Sequence, residues 1–187
     1  MTTTVWLLDL DGVINATRPG WAAAPRTGTA YSAGLPYRLR WAPALVARIR
    51  AVHQLVTIRW CSTWCADADQ VERLLGLPRL ERAWIDPIST ATAPAAKLAA
   101  ASTVLDQGHR LIWTDDDAVP TGGPVHDELT GTGRALLIAP LPNRGLQPEH
   151  LDTIDAFIAA TPRTIDQAVA DSESLRTARR LLGGTYP

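Results

Sequence analysis

Two groups of carboxylates carry the most distinctive chemistry in this chain. Asp9 and Asp11 are separated by one residue, so in an extended backbone their side chains lean to the same side. Asp115, Asp116 and Asp117 form the second group. Either group alone could be a turn or a helix start. Together at one place they would repel each other unless a cation or proton lay between them, and oxygen ligands without His or Cys favour Mg²⁺.

Three further polar residues could complete such a site. Ser62 and Thr63 follow an apolar segment, and a hydroxyl there could contact a phosphoryl oxygen, although Ser62 could equally cap a helix. Lys97 is the single lysine among 18 basic residues, which favours a specific role over a solvated surface position. A Mg²⁺ site with a spare carboxylate, a hydroxyl and an amine suits phosphoryl transfer.

Short apolar segments alternate with helical patterns along the chain, and each polar group follows such a segment. This alternation predicts a mostly parallel sheet covered by helices on both faces, with sites beyond the carboxyl ends of the strands. Strands are predicted at 5–8, 55–61, 80–85, 110–114 and 135–139, and helices at 43–52, 66–75, 95–105, from 148, and after a capping box at Thr164 and Gln167. Residues 15–42 lack a clear period and are predicted to be an insertion or large loop.

Composition excludes several classes of protein. A chain of 187 residues with 46% apolar and 20% charged residues is typical of one folded domain. The net charge of -1 provides no overall positive field for nucleic acid or anionic lipid. No apolar run is long enough to span a membrane and the start lacks a signal-peptide pattern, so we expect a cytoplasmic protein without a membrane partner. Cys61 and Cys65 lack metal-site spacing and are expected to be buried thiols.

In their order along the chain these residues resemble the four motifs of the haloacid dehalogenase (HAD) superfamily. Residues 7–13 are similar to its D-x-D-G start, Ser62 to its strand-end hydroxyl, Lys97 to its basic residue, and Asp115 with Asp116 to its acidic pair. More narrowly, three segments are similar to a small subgroup related to the HAD domain of Swiss Army Knife RNA repair proteins, and they extend the resemblance to about residue 160. These segments are 60–64, 111–117 and 145–151.

The resemblance implies a three-layer, Rossmann-like α/β fold whose five-stranded parallel sheet has the order 3-2-1-4-5. It implies a HAD-like core at 1–161 that contains a small cap insertion at 15–41. The interval between the third strand and Lys97 leaves no room for a second cap, so an open site is expected. A helical extension at 162–187 is predicted to pack on the core.

The resemblance also implies a Mg²⁺-dependent phosphatase. Asp9 would attack phosphorus to form an aspartyl-phosphate, which water then hydrolyses. Asp11 would act as general acid and base. Mg²⁺ would be bound by Asp9, by Asp115 and by the main-chain carbonyl of Asp11, and Asp116 would ligate through water or orient Lys97.

The same resemblance assigns the contacts to substrate. Ser62 would donate a hydrogen bond to a phosphoryl oxygen, and Thr63 would take that role if the strand ends one residue later. Lys97 would offset the negative charge of the phosphoryl group and of the nucleophile. Arg38 and Arg40 in the cap could bind a phosphorylated leaving group, such as a nucleic-acid or peptide end. No obligate protein partner is evident.

Two other functions use similar residues. A phosphoaspartate signalling receiver has its acidic pair before the phosphorylated aspartate and its lysine last, and the order in this chain excludes it. A non-catalytic HAD-fold module could bind RNA or another phosphorylated polymer through the Arg and aromatic residues at 37–41 with Trp21 and Tyr31. A binding module would have no need for every catalytic position, which favours the phosphatase.

Four residues within the predicted strands carry structural expectations. Arg59 lies in an otherwise apolar segment, where a charge is costly unless paired, so a carboxylate partner is expected. Trp6, Trp60 and Trp113 are each expected to pack in the core.

Overall fold

The computed structural model describes residues 3–160, and a five-stranded parallel sheet forms its centre. The strands of this sheet are β1 (Thr4–Leu8), β4 (Thr57–Trp60), β5 (Glu81–Arg82), β6 (Arg110–Thr114) and β7 (Ala135–Ile138). A separate antiparallel hairpin is formed by β2 (Arg26–Ser32) and β3 (Leu35–Trp41). The helices are α1 (Pro43–Val52), α2 (Ala68–Leu75), α3 (Ala93–Asp106), α4 (Gly123–Thr130) and α5 (Pro148–Ala159).

The two central strands are apolar on both faces, which is what a sheet covered on both sides requires. Trp6 of β1 contributes to the apolar cluster shared with α1, α2 and α5. Leu7 of the same strand and Trp113 of β6 contribute to the opposite cluster, shared with α3 and α4. Successive residues of a strand point to opposite faces, so β1 joins the two helical layers. The chain is therefore an α/β protein whose parallel sheet is flanked by helices.

The sheet has the strand order β5-β4-β1-β6-β7, and each neighbouring pair is parallel. This numbering differs from the expected 3-2-1-4-5, which counted five strands, because the hairpin strands β2 and β3 intervene in the chain. β1 lies at the centre, between β4 and β6. The carboxyl ends of β4, β1 and β6, each followed by polar residues, are therefore neighbours.

The segment expected to be an insertion or loop contains the ordered hairpin. Of the seven residues in β3, only Leu39 and Trp41 are buried, while Arg38 and Arg40 between and beside them are exposed. Two buried side chains in a segment rich in Arg, Pro and Gly are a weak signal for a strand. α4 also lies where no helix was predicted, and it buries only Leu129.

A carboxylate partner was expected for Arg59, and in the structure it is Glu81. The Arg59 guanidinium donates to Oε2 of Glu81 from Nη2 at 2.9 Å and from Nε at 3.2 Å, across the β4–β5 pair. Because the Glu81 side chain is 57% exposed, this pair is solvated and relieves a charge without adding much stability.

The three strand tryptophans are buried, which confirms their place in the core. Trp6 donates its indole N–H to the Thr114 hydroxyl at 2.9 Å, and Trp60 donates to Glu72 at 3.0 Å. Both cysteines are free and buried. The helical extension predicted for 162–187 lies outside the described residues.

Between residues 3 and 160, no helix combines the length and the apolar character that crossing a membrane demands.

Candidate active site

Three strand ends place the predicted polar residues side by side. Asp9 follows β1 and its backbone N–H donates to the Thr114 carbonyl at 3.1 Å, while the Cys61 N–H donates to the Leu8 carbonyl at 2.9 Å. These bonds extend the parallel ladders one residue past the strands, and the polar side chains begin there. Ser62 follows on the β4 side and Asp115 on the β6 side of Asp9.

Lys97 reaches this edge from the first turns of α3. Its ammonium lies 2.7 Å from Oδ2 of Asp9, 2.6 Å from Oδ2 of Asp115 and 3.8 Å from Oδ1 of Asp117. Lys97 and Asp9 are each 5% exposed and Asp115 is fully buried. The lysine therefore joins two carboxylates that the sequence separates by more than a hundred residues.

Burial and charge act against each other in this group. Burial raises the pKa of Asp9, and the charge and hydrogen bond of Lys97 offset only part of that rise. Burial and the neighbouring Asp9 raise the pKa of Asp115 to about 7. For Lys97, burial favours the neutral amine, but the two carboxylates outweigh it and raise its pKa overall. The single ammonium of Lys97 therefore offsets only part of the cost of burying two carboxylates.

The carboxylates meet the requirements of a hard cation. Oxygens of Asp9, Asp115, Asp116 and Asp117 all lie within 4.8 Å of one another. Oδ2 of Asp115 is buried and, among the described residues, receives no well-aligned hydrogen bond, although the Lys97 ammonium lies 2.6 Å from it. Carboxylate oxygens are the ligands that hard cations take in proteins. A metal ion could be held here.

The sequence placed Asp117 in the second acidic group but did not assign it as a metal ligand. Its backbone N–H donates to Oδ1 of Asp115 at 3.3 Å, and the Ala118 N–H donates to the same oxygen at 2.9 Å. These two bonds turn the chain after β6 so that three consecutive aspartates face the same point. The carboxylate of Asp117 is 74% exposed. The run of three aspartates was the available signal for its membership.

Gly12 packs directly against the acidic group. A Cβ at this position would lie 2.1 Å from Cγ of Asp116, and the backbone has φ +68°, which side chains rarely allow. From the sequence, Asp11-Gly12 could be a common turn dipeptide. In the structure, the close approach of Asp116 requires the glycine. The loop before α5 also supports the turn, because the Leu146 N–H donates to the Val13 carbonyl at 2.8 Å.

A cavity of about 210 Å³ opens over the nucleophile candidate. It is lined by Asp9, Asp11, Thr63, Thr90, Ala93, Pro94, Lys97, Asp116 and Asp117. Ser62 is buried beside Asp9, and its hydrogen bond lowers the pKa of that carboxyl against the larger effect of burial. Thr63 lines the cavity, whereas Ser62 is not among the lining residues. Thr90 was missed, since nothing in its local sequence distinguishes it.

Asp11 is close to the acidic group but separate from it. Its carboxylate lines the cavity with Asp9, yet it is not one of the four carboxylates whose oxygens meet within 4.8 Å. A carboxylate in this position can exchange a proton without being occupied by a cation.

Arg38 and Arg40 are not among the residues that line this cavity. On β3 they point opposite to Leu39 and Trp41, whose side chains pack into the core. Tyr37 is on the buried residues' side of the strand, and its ring meets the ring of Trp64 edge-on, with centroids 5.3 Å apart. The assignment of the two arginines to substrate binding stays a prediction.

A wider cavity lies elsewhere, at the β5 edge of the sheet. It measures about 580 Å³ and is lined by Arg59, Arg79, Leu80, Glu81, Arg82 and Ile85. None of the clustered carboxylates contributes to it, so its size does not make it the chemical centre.

No protein-family model matches the chain, and comparison with curated proteins also gives no match. The functional assignment therefore rests on the chemistry of the site.

Proposed function

We propose that this chain is a Mg²⁺-dependent phosphatase of the HAD superfamily that acts through Asp9. The observation that carries the proposal is the buried contact of Lys97 with Asp9 and Asp115 at a cavity of about 210 Å³. Buried charges are costly unless they are paired, and a group with excess carboxylate is suited to a cation and a phosphoryl group. Counted without the hairpin strands, the sheet order also reads 3-2-1-4-5, which supports the superfamily.

The proposed reaction has two steps. In the first, a carboxylate oxygen of Asp9 bonds to phosphorus while the bond from phosphorus to the ester oxygen breaks. The leaving oxygen keeps the electron pair and takes a proton from the Asp11 carboxyl group. In the second, Asp11 accepts a proton from water as the water oxygen bonds to phosphorus. The bond between Asp9 and phosphorus then breaks, which releases phosphate and restores the carboxylate.

The remaining residues support charge and orientation. Lys97 offsets the charge of the phosphoryl group and holds Oδ2 of Asp9, while the Leu10 N–H holds Oδ1 at 2.7 Å. Ser62 would donate a hydrogen bond to a phosphoryl oxygen. A divalent cation held by Asp9, Asp115 and the main-chain carbonyl of Asp11 would neutralise charge on the transferred phosphoryl group.

The cavity supports a class of substrate. At about 210 Å³ it is smaller than most ligand pockets, which suits a phosphoryl group but not a large leaving group as well. Thr63 and Thr90 offer hydroxyls at its wall, and Asp116 could ligate through water or orient Lys97. We therefore favour phosphomonoesters whose leaving group extends outward, such as phosphorylated nucleic-acid or peptide ends.

Hydrolysis of an aryl phosphate with Mg²⁺ tests the proposal. Asp9→Asn retains the shape of the side chain but cannot attack phosphorus, so kcat should fall by at least about a thousandfold, as when a covalent nucleophile is removed. Asp106→Asn makes the same chemical change on the exposed end of α3 and should leave kcat unchanged.

Two results would contradict the proposal. Wild-type turnover by Asp9→Asn would exclude the covalent mechanism. Binding of phosphate or RNA by the wild-type chain without hydrolysis of any phosphomonoester would instead favour the non-catalytic module.

A further inference from the structure

Both oxygens of the Asp11 carboxylate are held by side-chain donors. Nδ2 of Asn15 donates to Oδ1 at 2.6 Å, and the indole Nε1 of Trp64 donates to Oδ2 at 2.9 Å. Two donors on two different oxygens fix the plane of the carboxylate as well as its position. Each oxygen retains a second lone pair, so a proton in transit still has a place to bind.

The two donors are themselves anchored to one element, β3. Oδ1 of Asn15 accepts the backbone N–H of Arg40 at 2.8 Å, and the next residue, Ala16, donates its N–H to the Arg40 carbonyl at 3.0 Å. Trp64 is 5% exposed, and the ring of Tyr37 meets it edge-on at an interplanar angle of 77°. Each of the two residues that donate to Asp11 therefore contacts the hairpin directly.

The tip of the hairpin also contacts the chain segment that follows Trp64. The Ser32 hydroxyl donates to Oδ2 of Asp67 at 2.8 Å, and the Ala33 N–H donates to the same oxygen at 3.2 Å. Asp67 closes the short turn of 3-10 helix, Cys65–Asp67, that directly follows Trp64. The hairpin thus holds the segment that carries one of the two donors, and no cavity-lining residue comes from β2 or β3.

Orientation matters for a group that must deliver and then remove a proton. An unrestrained aspartate samples several rotamers, only some of which bring an oxygen to the leaving group, and a misplacement of about 1 Å can cost about a hundredfold in rate. Asp11 is an exposed residue on a turn, where packing alone does not select a rotamer. The bonds from Asn15 and Trp64 supply that selection.

We infer that Trp64 and Asn15 are positioning residues that orient Asp11 for proton transfer, and that the hairpin contributes to catalysis through them. This inference rests on the proposed function, because it assigns a role to the proton donor of that reaction. It gives the second tryptophan of the segment 60–64 a role that core packing does not provide.

The test compares two substrates in the Trp64→Phe variant, which loses the N–H and keeps an aromatic ring beside Tyr37. An alkyl phosphate needs its leaving oxygen protonated, whereas an aryl phosphate with a good leaving group needs this much less. The readout is kcat/KM, because it reports transfer of the phosphoryl group to Asp9 and excludes the later hydrolysis step that both substrates share. We expect kcat/KM for the alkyl phosphate to fall by about 10- to 100-fold, the scale for the loss of a supporting hydrogen bond to a reactive group, with a much smaller change for the aryl phosphate.

A matched control is Trp84→Phe. Nε1 of Trp84 is buried and donates to nothing among the described residues, so the same substitution removes an N–H that no partner uses. Its kcat/KM for both phosphates should equal that of the wild type. Asn15→Ala removes the other donor and repeats the test independently if Trp64→Phe does not fold.

Equal losses of kcat/KM on the two substrates, or no loss, would overturn the positioning role while leaving the phosphatase intact. A wild-type chain that hydrolyses no phosphomonoester, neither these two nor a phosphorylated nucleic-acid or peptide end, would overturn the proposed function, and the positioning role with it. The bond itself is checked without activity in a ¹H–¹⁵N spectrum, where the indole resonance missing from Trp64→Phe should shift in Asp11→Ala. An unmoved resonance would also refute the inference.

Discussion

At the scale of single residues, Lys97 determines how the site is charged. Its ammonium is a compact charge on a flexible stem, and it fits between Asp9 and Asp115 at contacts of 2.7 Å and 2.6 Å. A guanidinium carries its donors in a wide planar fork and could not replace it in so small a space. This explains why the one lysine of a chain whose other basic residues are arginine lies at this position.

Gly12 allows a prediction about the acidic group. In Gly12→Ala the new methyl group would displace Asp116, and the backbone would be strained at φ +68°. We expect a loss of about 1–3 kcal/mol in the free energy of unfolding and a 10- to 100-fold weaker affinity for Mg²⁺, roughly the effect of disturbing a ligand's support. Urea unfolding and titration calorimetry measure the two quantities.

The Gly108→Ala variant distinguishes the effect of backbone strain from that of displacing Asp116. Gly108 has φ +77°, and a Cβ there would meet nothing within 4 Å. This variant should lose about 1 kcal/mol and bind Mg²⁺ as the wild type does. If both variants bind Mg²⁺ equally well, Asp116 has no part in holding the ion.

At the scale of elements, the hairpin is a packed part of the domain. Leu39 is 2% exposed, and with Ala30 and Trp41 it belongs to the apolar cluster of α1, α2 and α5. The outer face of β3 carries exposed side chains, among them Arg38. An element anchored in this way can orient neighbouring groups, whereas a lid that opens and closes would need a weaker attachment.

Leu39→Ala measures how firmly the hairpin is attached. Removing a fully packed leucine side chain should lower the free energy of unfolding by about 2–5 kcal/mol, because a cavity replaces its contacts. Arg38→Ala, on the adjacent exposed position, should change it by less than about 0.5 kcal/mol. A Leu39→Ala variant as stable as the wild type in urea unfolding would show that the hairpin is only loosely attached.

At the scale of the whole molecule, the site opposes folding when no cation is bound. The pKa of Asp115 is about 7 in the folded chain and near 4 when unfolded, and that of Asp9 is also raised. Between these pH values the folded state therefore holds more protons than the unfolded state. By linkage, the contribution of the Asp115 carboxyl group to stability is complete below about pH 4 and is lost as the pH rises through about 7.

Thermal unfolding across pH 4–8 tests this linkage. Without divalent cations the Tm of the wild type should fall with rising pH relative to that of Asp115→Asn, which cannot titrate at this position.

Mg²⁺ at about 100 times its dissociation constant should stabilise the folded state by about 2.7 kcal/mol, or about 5–10 °C for a chain of this size. Asp115→Asn should show much less of this rise. Parallel pH profiles, or an equal response to Mg²⁺, would locate the charge coupling and the ion elsewhere.

The sequence by itself determined what depends on neighbouring residues and on strand ends. Pro43 and the apolar spacing after it predicted α1 at 43–52, and the run before Asp115 predicted β6 at 110–114, with the bounds that the structure has. Carboxyl ends of adjacent parallel strands meet at one edge, so the convergence of Asp9, Ser62 and Asp115 could be predicted as well. These features follow from local periodicity and from one rule of topology.

Only the tertiary structure decided which side chains complete the site. Trp64 reaches Asp11 across 53 positions, Asn15 reaches Arg40 across 25, and Arg59 reaches Glu81 across 22. Such bonds depend on the direction of each side chain after the hairpin and the sheet have packed together. A sequence pattern records the period of its own element but not the partner that another element brings, because that choice is made by the burial of both elements at once.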